Sequence, residues 1–343
     1  MKRNLLALAV GVAFVLPMVA QAAPTVYGRL NLSVDYTDVD LGPGLDGKVW
    51  ELNSNASRVG VKGNEKLTDE LTAVYKAEWE VQGDMKGQGG GADLTGRERY
   101  IGLKHYQLGT IRLGYIDSPL KNSEDSIDIF NDMTSLDMGN FLHGQTRMAN
   151  SINYVSPKFL DVFGANLTLQ PGESNGANPS AGASADENHI ADAISLALSY
   201  EDDSLYLSAA MDKEVVNMDA MRFVARYKMS DITVSAMFQT AEPTKTSKVI
   251  GSADKEQSFI LSGSYTMDKV TLRGEVLSVT QDYVGGMMDD ETMLIGVGVD
   301  YNFTQSTKAY VNLASGSMDN NVSGFPSIST DASFLGFGME TRF

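Results

Sequence analysis

Thr25-Val26-Tyr27-Gly28-Arg29-Leu30-Asn31-Leu32-Ser33-Val34-Asp35-Tyr36 alternates with a period of two. Val26, Leu30, Leu32, Val34 and Tyr36 fall on one face with Gly28. Thr25, Tyr27, Arg29, Asn31, Ser33 and Asp35 fall on the other. The segment reads as a β-strand with one oily side and one wet side. Residues 71–81 repeat the pattern, with Leu71, Ala73, Tyr75, Ala77, Trp79 and Val81 opposite Thr72, Lys76, Glu78 and Glu80. In 220–229, Met221, Phe223, Ala225, Tyr227 and Met229 alternate with Arg222, Val224, Arg226 and Lys228. The last strand sets Leu335, Phe337, Met339, Thr341 and Phe343 against Gly336, Gly338, Glu340 and Arg342.

The apolar faces of these strands carry no charge. Arg or Lys on a lipid-facing strand surface costs about 2–4 kcal/mol near the bilayer midplane, so an uncharged face is what lipid demands. One-sided strands with a charged reverse, continuing to the end of the chain, favour a closed transmembrane antiparallel β-barrel with a wet interior over a soluble sandwich. Sixteen strands are expected, near 25–36, 49–63, 70–82, 97–105, 110–116, 146–155, 164–171, 190–200, 204–213, 219–229, 231–240, 257–267, 269–283, 291–303, 306–317 and 333–343. Short connectors such as Ser230-Asp231 and Met267-Asp268-Lys269 alternate with long ones such as 83–96, 117–145 and 172–189. An even count returns both chain termini to the periplasmic side.

The N-terminus reads as an export leader. Lys2 and Arg3 precede an apolar run from Leu5 to Ala20, and Ala20-Gln21-Ala22 fits a small-x-small cleavage site. The run is shorter than the roughly 20 residues a spanning helix needs, and Pro17 interrupts it. Residues 1–22 are therefore expected to be a signal peptide, and 23–343 a single outer-membrane barrel domain. Hydrophobic residues are 43% of the chain and mean hydropathy is −0.16. Those values fit a soluble protein and a barrel equally, because only alternate strand residues meet lipid. The net charge of −17 disfavours nucleic-acid binding, which needs a basic face. Cysteine is absent, and a large closed barrel needs no disulfide staples.

Several segments resemble the trimeric, sixteen-stranded general diffusion porins of the Gram-negative outer membrane. They are Val26-Tyr27-Gly28-Arg29-Leu30, Ser57-Arg58-Val59-Gly60-Val61-Lys62-Gly63, Ala77-Glu78-Trp79-Glu80, Arg97-Glu98-Arg99-Tyr100-Ile101-Gly102-Leu103-Lys104 and Gly109-Thr110-Ile111-Arg112-Leu113-Gly114. The terminal Phe343 resembles the signal read by the outer-membrane assembly machinery. The resemblance implies a water-filled channel for passive diffusion of ions and small hydrophilic solutes, a homotrimer in contact with outer-membrane lipid and lipopolysaccharide, and no cofactor. It also implies a long third loop, here 117–145, folded into the pore. That loop holds Asp117, Glu124, Asp125, Asp128, Asp132 and Asp137, with Lys121 as its one Lys or Arg.

In such a constriction, loop acids face a ladder of basic residues on the wall. Motif by motif, the ladder positions are Arg29, Arg58, Arg97 and Arg147. Period-two parity sends Arg29, Arg58 and Arg147 inward, with Lys62 and Arg112 as well. Arg97 shares parity with Ile101 and Leu103, so it requires a bulge or a place at the rim. Glu124, Asp125, Asp128 and Asp132 are the acids expected at the neck, whereas Asp117 and Asp137, near the loop ends, read as solvated charge. Opposed charges in a narrow aqueous neck focus ions and align dipolar solutes. Both signs are present, so ion preference stays open. The usual Pro-Glu-Phe-Gly-Gly loop motif of the resembled family is absent, which leaves the carboxylate partners open too.

Other readings have less behind them. A substrate-selective pore for an anion or sugar could use the inward row Arg222, Arg226 and Lys228. A structural or adhesive barrel would need apolar or aromatic loop patches, which these loops lack. His105, His143 and His189 sit in no arrangement that supports catalysis. Asp38-Val39-Asp40 and Asp289-Asp290-Glu291 do not fit the twelve-residue calcium loop, so no metal site is assigned. Gly296-Val297-Gly298 is a strand segment, since no helix pattern follows it. Trp50 and Trp79 suit the interfacial aromatic girdles.

Overall fold

The computed structural model describes residues 23–40, 47–84, 94–172, 189–244, 251–286, 288–323 and 327–343. The leader expected over 1–22 and the glycine-rich segment 87–91 lie outside these residues. Seventeen strand segments follow in chain order. They are β1 (Thr25–Asp40), β2 (Gly47–Ser54), β3 (Arg58–Lys66), β4 (Leu71–Val81), β5 (Leu94–His105), β6 (Gly109–Asp117), β7 (Arg147–Val155), β8 (Phe163–Gln170), β9 (Ala193–Glu201), β10 (Leu205–Val215), β11 (Met218–Met229), β12 (Ile232–Pro243), β13 (Ala253–Met267), β14 (Val270–Tyr283), β15 (Met288–Asn302), β16 (Thr307–Val322) and β17 (Ile328–Arg342).

Every neighbour pairing is antiparallel, and β17 returns to pair with β1, which closes the sheet. Segments β2 and β3 both pair with β1, one beyond the other. They are the two halves of a single stave, expected as one strand over 49–63 and broken at Asn55-Ala56-Ser57. The barrel therefore has sixteen staves. Closure leaves no sheet edge, so strand backbone groups find partners within the sheet, the condition for crossing lipid. Several strands run further than their sequence pattern suggests: β16 continues to Val322 and β17 begins at Ile328. Ladder pairing at their loop ends continues where alternation has faded into polar residues.

Parity settles the two faces as the alternation requires. On β1, Arg29, Asn31, Ser33 and Asp35 are buried against the barrel interior, while Val26 and Leu30 are exposed outward. Phe223, Phe238 and Phe259 pair across adjacent strands on the outer face. Between β4 and β5 the register shifts: Ala77 faces Arg99, but Trp79 faces Gly96. Three residues of β5 thus span two of β4. This bulge turns Arg97 inward while Ile101 and Leu103 point out.

The β6–β7 connection does not leave the barrel. It opens with a short helix, α1 (Pro119–Asn122), whose N-terminus is capped by the Ser118 hydroxyl accepting from the Lys121 N–H at 3.0 Å. Later it makes a 3-10 turn (Met138–Asn140) capped by Asp137. Its apolar residues Ile127, Phe130, Met133, Leu136, Met138 and Leu142 are buried against inward side chains of the far wall. Those include Tyr206, Val224, Met237, Ile260, Leu277 and Leu294. This is the main apolar core of the molecule, and it lies inside the barrel.

Candidate functional site: the charged neck

The loop docks on one side of the lumen, which leaves Asp132 facing the other. Asp132 meets three wall arginines. Its carboxylate is 2.6 Å from Arg58 Nη2, 3.1 Å from Arg29 Nη1 and 3.8 Å from Arg97 Nη2. Burial works to raise the Asp132 pKa, but the charges of Arg58, Arg29 and Arg97 outweigh it and hold the carboxyl below its usual value. Arg97 is also held by Glu78 at 2.8 Å and Glu80 at 3.1 Å, both on β4. Arg29 is 3.8 Å from Glu340 on β17.

Arg147 pairs with Asp117 at 2.8 Å, at the root of the loop, and Lys121 reaches the same carboxylate at 3.4 Å. Asp117 is thus not the solvated charge its place in the sequence suggested. Neither is Asp137, whose carboxylate accepts from the Asp132 N–H at 2.6 Å and the Gly139 N–H at 2.7 Å, so it shapes the turn that carries Asp132. Glu124 and Asp125 meet a different pair of arginines on β11. Arg222, fully buried, reaches Glu124 at 3.2 Å and Gln239 at 2.8 Å, and Arg226 pairs with Asp125.

Three expected residues lie away from this cluster. Asp128 is buried inside the loop and accepts from the N–H groups of Phe130 (3.0 Å) and Met138 (2.9 Å). Burial, then the neighbouring Glu275 and Asp137 carboxylates, push its pKa well up. Lys62 lies over the Tyr27 ring at 4.9 Å. Arg112 donates to Asn153 at 2.8 Å and covers the Tyr100 ring. Parity could name Lys62 and Arg112 as inward residues but not assign their depth along the lumen, and it does not apply to Asp128 in the loop.

A polar cavity beside the loop is lined by Arg58, Arg97 and Lys121 together with Glu80, Asp117, Glu124, Asp125, Asp132 and Asp137. The lining thus counts six carboxylates and three cations, with Arg29, Arg147, Arg222 and Arg226 behind four of the carboxylates. Each of the three cations already has a carboxylate within 3.4 Å. The Arg222–Glu124 contact escaped the sequence reading because the inward row of β11 looked like free basic wall. The Val224 between its arginines was the signal that something apolar covers that row.

Known proteins bear on this arrangement in three ways. A sequence profile described as Gram-negative porin matches residues 7–321. The major outer membrane protein P.IB of Neisseria sicca is 26% identical, the match covering 91% of this chain and 93% of that protein. Outer membrane porin protein 32 of Delftia acidovorans is also 26% identical, over 92% of this chain and 89% of its own. Among solved structures, the anion-selective porin from Comamonas acidovorans superposes with a TM-score of 0.72 at 19% identity, covering 94% of this chain and 99% of that one. The trimer form of OmpT from Vibrio cholerae does so with a TM-score of 0.66 at 17% identity, covering 94% and 99%.

Proposed function

This chain belongs to the Gram-negative porin family, and we propose that its neck passes cations in preference to anions. The protein is an outer-membrane channel through which ions and small hydrophilic solutes diffuse passively. What remains to be assigned is the filter. One observation carries the reading: six carboxylates and three cations line the cavity at the neck, and although Arg29, Arg147, Arg222 and Arg226 also pair with four of those carboxylates, it is carboxylate oxygens that predominate on the side facing the water. A ring of fixed charge raises the local concentration of the opposite ion.

The rival is an anion-preferring pore using Arg222, Arg226 and Lys228. Arg222 lies buried beneath the loop on Glu124, and Arg226 is paired with Asp125, which leaves that row little free charge. The likeness to an anion-selective porin is at 19% identity and speaks to the fold alone. A homotrimer accords with the trimer form of one structural neighbour. Phe343 supports a role in barrel closure as well as assembly, since its N–H and carbonyl exchange hydrogen bonds with Gly28 at 3.1 and 2.9 Å. We include in the same reading a cleaved leader over 1–22 and contacts of the outer face with lipid and lipopolysaccharide.

Reversal potential across a planar bilayer in a salt gradient tests the filter. Cation preference gives the sign of a cation diffusion potential, growing as ionic strength falls because screening weakens. The opposite sign at low salt would refute it.

A further inference from the structure

The break in the β2–β3 stave has a consequence for the neck. Ala56 has φ of 46°, the left-handed region that a residue with a Cβ rarely enters. That turn pushes Asn55 out of the ladder and into the lumen wall, where it is 1% exposed. The backbone stays paired: the Asn55 N–H donates to the Asn31 carbonyl at 2.8 Å, and the Asn31 N–H donates to the Ser57 hydroxyl at 3.0 Å. With these bonds in place, what the kink changes is the placement of the Asn55 side chain.

We propose that Asn55 is a positioning residue that fixes the gap between the loop and the basic wall, an inference that rests on the neck reading above. Its side chain has two donors and two acceptor sites, and all four are used. Nδ2 donates to the Ser33 hydroxyl on β1 at 2.8 Å and to the Tyr310 hydroxyl on β16 at 3.1 Å. Oδ1 accepts from the Thr134 N–H at 2.9 Å and from its hydroxyl at 3.0 Å. Thr134 is two residues beyond Asp132 in the loop. The Asn55 carbonyl accepts from Arg29 Nη2 at 2.7 Å, and Arg29 is one of the three arginines on Asp132. One residue thus holds a wall arginine by its backbone and the acid-bearing stretch of the loop by its side chain. Tyr310 is locked in turn, its hydroxyl donating to Asn31 at 2.7 Å. The charges of the neck supply attraction, which tolerates a range of separations. The amide of Asn55 supplies directional contacts that set one separation.

The test uses the full barrel in planar bilayers with three variants. Asn55→Ala is expected to raise single-channel conductance and open-channel noise and to move the reversal potential toward zero. The temperature at which the barrel unfolds should stay close to that of the unsubstituted protein. Thr134→Ala removes one of the two contacts on Oδ1 and is expected to move the same quantities by less. Arg58→Glu is the reference for the neck itself. If Arg58→Glu moves the reversal potential and Asn55→Ala leaves it where it was, positioning by Asn55 is wrong and the neck stands. If neither moves it, both ideas fall. Should Asn55→Ala not fold, Thr134→Ala decides: a shift supports the proposal, and an unchanged channel overturns it.

Discussion

The inner wall of this barrel has two unlike halves. Along β1–β5 its inward side chains are Arg29, Ser33, Asp35, Arg58, Lys76, Glu78, Glu80 and Arg97, which face each other, the loop acids and water. Along β11–β15 the same inward parity delivers Val224, Met237, Ile260, Leu277 and Leu294, all buried beneath the loop. A lumen lined by apolar groups would be costly in water. Here the loop covers them with its own Ile127, Phe130, Met133 and Leu136. Docking therefore follows from hydrophobic burial on one side, and the neck follows from what is left on the other. Fully burying such a side chain is worth about 1.5–3 kcal/mol, and charge pairs across water far less. The apolar half accordingly dominates how firmly the loop is held, and the proposed filter belongs to the charged half.

The largest effect should come from breaking the apolar half. Phe130 lies against Gly296 and Gly298 of β15, where an added Cβ at Gly296 would come within 2.6 Å of its ring, and the Arg273 guanidinium lies 5.0 Å from its centre. Phe130→Ala is expected to weaken loop docking by about 3–5 kcal/mol. Conductance should rise and the loop should become open to protease, while the sheet keeps its β circular dichroism. An unchanged, protease-resistant loop would show that docking does not depend on this socket.

A smaller effect sharpens the role of the charged half. Arg58→Glu removes the shortest of the three contacts on Asp132 and adds one carboxylate to the neck. The reversal potential should move further toward cations, with conductance changing less. A potential that stays put would remove Arg58 from the filter.

The acid range offers a further check. Because Asp132 is held below the ordinary carboxylate value of about 3.9, its contribution is present above that value and is lost only as pH falls through the depressed one. The contribution of Asp132 to selectivity, read as the difference between the unsubstituted channel and Asp132→Asn, should therefore persist from neutral pH to below about 4. Its loss at pH 5 would mean that the arginines do not govern Asp132.

The least effect concerns the seam between the halves. The His143 ring is 2.5 Å from Glu256 on β13, and the His143 carbonyl accepts from Arg222 at 3.4 Å and from Gln239 at 2.8 Å. The bond to Glu256 raises the His143 pKa and burial opposes it. The stabilisation is complete below the ordinary histidine value of about 6.5 and fades as pH rises through the raised value. Open-channel noise should grow slightly over that rise and should not do so in His143→Gln.

Much of this was readable from residue types alone. Period-two alternation fixed which side chains face lipid, because a strand offers only two faces and lipid rejects charge on one of them. For Arg97 parity left a bulge or the rim open, and the register shift between β4 and β5 decided for the bulge, while the loop between β6 and β7 stood out by its length and its acids. Depth was not readable. Lys62 and Arg112 share the inward face with Arg58, yet the tilt and stagger of the closed sheet set them apart from the neck. Asp128 and Asp132 are alike as residues four apart in one loop, but one turns into the loop and the other out of it.

Local alternation and the physics of the bilayer were enough to read a closed barrel and the wet face of the regular strands, the bulged β5 being the exception. Which part of the wet face lies under the loop, and which acid meets which arginine, came only with the folded chain. Those depend on contacts between residues as far apart as Asn55 and Tyr310, brought together by closure of the sheet rather than by any neighbour in the chain.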